Sequence, residues 1–139
     1  MSVPARALTA RRAYRTLAVL FAACVAAQVL LAGLSVFHDA GWWGPHRGVG
    51  TAIALLPVAL VALTFAGRMP GRPRRLAATA FALCMLQGVT AVVGGVVGAV
   101  HPVGALLVFW NALAMTRPLA SSAERSAEGT TWLPSVAGR

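Results

Sequence analysis

Formal charges in this chain fall in blocks, and long apolar runs lie between them. Leu17 to Phe37 carries one strongly polar side chain, Gln28, and is long enough as a helix to cross a hydrocarbon layer about 30 Å thick. Gly48 to Gly67 is a second uncharged run, with Pro57 near its middle predicting a kink. Leu76 to Thr116 has no formally charged side chain and is too long for one crossing. Gly94, Gly95 and Gly98 mark a tight turn inside it, and Pro102 suits the first turn of the helix that follows. The pattern predicts spans at about 17–37, 48–67, 76–96 and 99–116.

Between them, His38 to Arg47 reads as a loop, because Gly41, Gly44 and Pro45 break any helix. Trp42 and Trp43 suit a membrane–water interface. Arg68 to Arg75 is a short basic loop. The expected architecture is all-α: a four-transmembrane-helix bundle over residues 16–116, preceded by a basic cytoplasmic arm (1–15) and followed by a disordered cytoplasmic tail (117–139) rich in Ser, Ala, Gly and Pro.

The bundle reads as two copies of one hairpin. Arg15, Phe21, Ala22 and Cys24 match Arg75, Phe81, Ala82 and Cys84 at an offset of 60, and Gln28 matches Gln87 at 59. Each copy then continues to a histidine, His46 or His101. Because each unit holds two spans, both insert in the same sense, giving a parallel repeat about an axis along the membrane normal.

Composition agrees with this picture. Of 139 residues, 58% are hydrophobic and only 11% charged, with mean hydropathy +0.75, which is the profile of a polytopic membrane protein with the lipid bilayer as its first partner. All twelve basic residues are arginine, which together with the Ala, Gly and Val content points to a bacterial chain. Eleven of the twelve lie on one side of a four-span model, so the positive-inside rule puts both termini in the cytoplasm of a bacterial cytoplasmic membrane. The net charge of +9 therefore reads as topology and anionic-lipid contact; without a basic stripe interleaved with aromatics it does not indicate nucleic acid. Arg11-Arg12 resembles a twin-arginine signal, but the run that follows is too long and too apolar for export. Cys24 and Cys84 lie within spans and have no metal spacing. The three acidic residues, Asp39, Glu124 and Glu128, leave no intramembrane acid for a proton-coupled transporter, and no hydrolase motif is present.

The remaining chemistry is histidine. The repeat places His46 and His101 at the outer ends of the second and fourth spans, which are diagonal in an up-down bundle. Helix axes about 9–10 Å apart give a diagonal of roughly 13 Å, close enough for two imidazoles to reach one central metal. A porphyrin iron needs two axial ligands and a flat slot, for which Gly48, Gly50, Gly94, Gly95, Gly98 and Gly104 leave room. Three readings stand together: axial ligands of a heme, ligands of another metal, or interfacial histidines bonded to headgroups or loop carbonyls. His38 and Asp39 are candidates to complete a non-heme site. Gln28 and Gln87 read as interhelical hydrogen-bond partners or as contacts to a ligand's polar edge, and Asn111, Thr90 and Ser35 as helix–helix polar contacts.

The stretches AAQVLLAGLSVFHDAGWWGPHRGVGTAIAL and LQGVTAVVGGVVGAVHPVGALLVFWNALA resemble the first and second hairpins of a four-helix half of the heme A synthase superfamily. The resemblance covers about residues 15–116, one half of that eight-span fold, and implies heme b held by His46 and His101, with Gln28 and Gln87 beside it. It implies a redox or heme-pathway membrane protein as partner, or a homodimer that restores eight spans. The superfamily's catalytic half carries a carboxylate three residues before the second-helix histidine; Trp43 stands there, so the resemblance implies electron transfer or heme handling and no catalytic residue. An uncharacterised family of small four-span proteins with similar architecture is the other resemblance. From a different class, a cofactor-free membrane interaction or accessory subunit also fits the polar residues.

Overall fold

The computed structural model describes residues 4–117 and is helical almost throughout. Helix α1 (Ala5–Phe37) is followed by a 3₁₀ turn (Ala40–Trp42), then α2 (Trp43–Ile53), α3 (Leu56–Ala66), α4 (Gly71–Val93), the one-turn α5 (Gly95–Gly98) and α6 (His101–Thr116). Among the described residues, four stretches are long and apolar enough to cross a membrane: Ala5–Phe37, Ala40–Ala66, Gly71–Val93 and Gly95–Thr116. Large apolar side chains such as Phe37, Val92, Val96 and Trp110 face outward and are at least 71% exposed, as in a bundle surrounded by lipid. This is a membrane-type helical protein, an all-α four-helix bundle.

The boundaries depart from the sequence reading in four places. The basic arm is not separate from the first span: α1 starts at Ala5, and at 33 residues and about 1.5 Å per residue it exceeds the hydrocarbon thickness, so its arginine-bearing start protrudes. The first loop is shorter than expected, because α2 begins at Trp43 and takes Gly44 and Pro45 into its first turn, where the missing proline N–H costs nothing. The second span is broken rather than bent. α2 ends at Ile53 and α3 starts at Leu56, because Pro57 cannot donate to the Ile53 carbonyl; Leu55 N–H donates instead to Ala52, three residues back. The third span stops at Val93, since Gly94 and Gly95 take left-handed φ of 65° and 55°, and the fourth starts at Gly95. Residues 118–139, nearly all of the expected tail, lie outside the described residues, as do residues 1–3.

The four spans form a square. α1 packs against α3 and α6, and α4 packs against α3 and α6, so the second and fourth spans are diagonal as expected. The repeat is in the fold, with a different register. Buried positions Tyr14, Ala18, Phe21 and Val25 of α1 correspond to Pro73, Ala77, Ala80 and Cys84 of α4 at an offset of 59, the offset of Gln28 and Gln87. The sequence matches at 60 lie one residue out of this register: Phe21 is buried while Phe81 faces outward.

The core sits in the half of the bundle that carries the basic end. Phe21, Leu60 and Thr64 are completely enclosed, and Ala77, Ala80 and Ala112 are small enough to let the helix backbones close around them. Polar side chains cross between helices here: Asn111 Nδ2 donates to the Leu76 carbonyl at 3.0 Å, and the Tyr14 hydroxyl donates to Pro73 at 3.4 Å. Toward the other end the core thins. α2 packs on α1 and has no comparable packing on α4 or α6, and its only buried residue is Ile53.

α3 ends in a Schellman motif: Met69 N–H donates to Thr64 and Arg68 N–H to Phe65. Its left-handed position is Arg68, with φ of 47°, where glycine is the unstrained choice. Gly67, one residue earlier, is needed for a different reason: a Cβ there would lie 3.2 Å from Arg11 Cγ and 3.0 Å from the Leu63 carbonyl. Arg68→Gly should therefore stabilise the bundle by about 0.5–1.5 kcal/mol, read as a rise in unfolding temperature in detergent; a fall would mean the Arg68 side chain makes an offsetting contact.

Candidate functional site

At the end opposite the basic loops, His46 and His101 meet across the diagonal. Their ring centres are 6.5 Å apart, with ring planes at 70°. Each is half-buried, and each begins a helix: His46 lies in the first turn of α2 and His101 is the first residue of α6.

Both rings are oriented the same way by the helix before them. His46 Nδ1 lies 3.2 Å from the Gln28 carbonyl of α1, and His101 Nδ1 lies 3.2 Å from the Gln87 carbonyl of α4. A carbonyl oxygen can only accept, so each Nδ1 carries a proton, which in the neutral imidazole leaves the lone pair on Nε2. Neither Nε2 has a hydrogen-bond partner among the described residues. Thr90 adds a second contact on one side: its hydroxyl donates to the Gln87 carbonyl at 3.1 Å and turns a lone pair to His101 Nδ1 at 3.2 Å.

The glutamine side chains complete the two units. Gln28 Nε2 donates to the His46 carbonyl at 3.0 Å, so Gln28 and His46 are bonded in both directions. The Oε1 atoms of Gln28 and Gln87 are both buried without a partner among the described residues. Each glutamine amide lies directly against a glycine of the histidine-bearing helix, Gly50 for Gln28 and Gly104 for Gln87, where a Cβ would collide with it. These two glycines were expected to make room for a ring; the room is taken by glutamine side chains. Gly48, Gly94 and Gly95 do border open space, and Gly98 lies against the Thr90 carbonyl.

Trp43 stands edge-on to His46, with ring centres 5.4 Å apart and planes at 88°. Asp39 and His38 do not join the pair: the Asp39 carboxylate accepts from Gly41 N–H and caps the 3₁₀ turn. Among the described residues no group of three or more His, Cys, Asp or Glu could hold a metal ion, so the non-heme site does not assemble. Ser35 bonds the Leu31 carbonyl of its own helix and takes no part. The pairing of Gly50 and Gly104 with the glutamines was missed from sequence. Its signal was the spacing: each glycine follows its histidine by one helical turn, which puts both on one face.

The geometry defines a four-span membrane-type protein with two imidazoles facing each other near one surface. Residues 28–94 match the model of a family of unknown function, DUF6220. The match is not to the heme A synthase superfamily; it runs from Gln28 to Gly94, through His46 and Gln87, and stops short of His101. No curated protein matches the chain, and neither does any solved structure.

Gly50→Ala should displace the Gln28 amide and cost about 1–3 kcal/mol of stability, as overpacking does elsewhere. In a Gln28→Ala background the same change should cost much less, because the colliding group is gone. Equal costs in both backgrounds, measured by thermal unfolding in detergent, would show that the contact is not what Gly50 serves.

Proposed function

We propose that the chain binds b-type heme between its second and fourth spans, where His46 and His101 would hold it, and serves electron transfer or heme handling. The observation that carries this reading is the orientation of the pair. Donation of Nδ1–H to a backbone carbonyl is the usual way a ligating histidine is held, and it leaves Nε2 free for a metal. The two ring centres are 6.5 Å apart, within reach of one group held between them. Among the described residues no third His, Cys, Asp or Glu joins the pair, which suits a metal carried in its own macrocycle.

The bundle has little core at this end, and α2 stands off α4 and α6. His46 and His101 would hold the iron, the backbone carbonyls of Gln28 and Gln87 would fix the imidazoles, and Trp43 stands edge-on to His46. Bound heme supplies reversible one-electron exchange. The absence of a carboxylate at position 43 argues against oxygenation chemistry. By the positive-inside rule, the end carrying Arg6, Arg11, Arg12, Arg15 and the 68–75 loop faces the cytoplasm of a bacterial membrane, and the histidine end faces outward.

A second reading is favoured by the two-way bonding of Gln28 and His46, which gives His46 a structural task without any cofactor. In it the protein is a cofactor-free accessory or interaction subunit, and the histidines only tie the spans together.

The visible spectrum of the detergent-purified protein, oxidised and dithionite-reduced, from cells supplied with a heme precursor separates the two. The heme reading expects a Soret band, sharp reduced α and β bands, near-stoichiometric heme, and loss of bound pigment in both His46→Ala and His101→Ala. A colourless protein that takes up no added hemin, or pigment unchanged in both variants, would overturn it in favour of the accessory subunit.

A further inference from the structure

A second feature, independent of the histidines, lies at the basic end. There α1, α4 and α6 converge on a shallow surface cleft, lined by Arg11, Arg15, Arg72 and Arg117 above Tyr14 and Met115. The only carboxylate side chain among the described residues, Asp39, is at the opposite end of the bundle. Four guanidiniums thus converge without an acidic partner among the described residues, and such a cluster attracts an anion.

Two of the four are already held. Arg11 donates through Nε to the Gly67 carbonyl at 2.9 Å and through Nη2 to Arg68 at 3.3 Å, at the C-terminal end of α3. Arg72 donates through Nη2 to the Ala114 carbonyl near the end of α6 at 3.5 Å. Negative helix ends fix these cations, and because a guanidinium has five N–H donors, each keeps others free. A ligand would not have to order them. Arg15 and Arg117 are exposed and make no hydrogen bond among the described residues, so they are free to close on it.

The floor of the cleft decides which anion fits. Met69, Leu76 and Met115 make it apolar, and Arg15 and Arg117 border the apolar runs of the first and last spans. A phosphate carried on a glycerol backbone and acyl chains meets both features; a free phosphate meets only the arginines. We propose that this cleft is a binding site for the phosphate headgroup of an anionic phospholipid.

The test uses the full chain in nanodiscs of mixed phosphatidylglycerol and phosphatidylcholine, with retained lipid counted by native mass spectrometry after release into detergent. Wild type should retain phosphatidylglycerol in preference to phosphatidylcholine. Arg15→Gln with Arg117→Gln should reduce that retention roughly tenfold or more, and Arg12→Gln with Arg74→Gln less than about twofold. The second pair removes the same charge from the same end outside the cleft, so equal losses in both pairs would mean diffuse attraction and overturn the site. So would a wild type without lipid preference. Inorganic phosphate, added alone to detergent-solubilised protein, is not expected to raise the unfolding temperature; a rise that vanishes in the Arg15/Arg117 pair would reassign the cleft to soluble phosphate. Circular dichroism melts confirm that both pairs fold.

Discussion

The second lone pair of the helix carbonyl is what joins this bundle together. A spanning helix satisfies its backbone internally, and each carbonyl still has one acceptor position to spare. Interhelical side-chain bonds use that position: Tyr14 on Pro73, Asn111 on Leu76, Gln28 on His46, and the two histidines on Gln28 and Gln87, while Arg11 and Arg72 bond carbonyls at helix ends. The contact of Thr90 with His101 is the exception. Such bonds average well under 1–2 kcal/mol each, but they are directional, and apolar packing between Ala-rich helices is not. They fix rotation and height where dispersion alone would let the helices slide. They also set the chemistry of the histidines, because an acceptor-only partner dictates which ring nitrogen holds the proton.

Much of the architecture could be read from the chain. Blocks of arginine and the uncharged runs between them mark the spans, and length alone requires the 76–116 stretch to turn back on itself. Helix ends were less legible, because proline and glycine signal a break without saying on which side the helix resumes. Pro45 was read as a terminator and sits inside a first turn; Pro57 was read as a kink and separates two helices. The repeat shows why identity matching misleads in apolar segments. Phe21 and Phe81 align by letter, yet one is enclosed and the other faces outward, and the true register follows Ala80. Burial depends on helix rotation, which identical apolar letters do not specify.

The histidine pair was legible in its placement and not in its detail. Diagonal spans and matching positions followed from the repeat. The glutamine carbonyls that orient the rings did not, since a backbone atom leaves no mark in the sequence, and neither did the use of Gly50 and Gly104 to admit glutamine side chains. The two ends of the bundle also differ in a way hydropathy cannot report: one holds enclosed aromatic and aliphatic side chains, the other polar groups and little core. Few buried apolar contacts mean that the histidine end opens at lower cost than the basic end.

The register of 59 between α1 and α4 has an evolutionary consequence. Two hairpins in the same orientation, with their histidine helices on the diagonal, are related by a pseudo-dyad running through the bundle. A single hairpin paired with its own copy would hold one glutamine, one glycine and one histidine per subunit, and its two histidines would face each other across the dyad. Gene duplication and fusion of such a two-span ancestor would preserve that encounter while freeing each half to diverge. The Thr90 contact on one side and the Trp43 ring on the other are where the two halves differ.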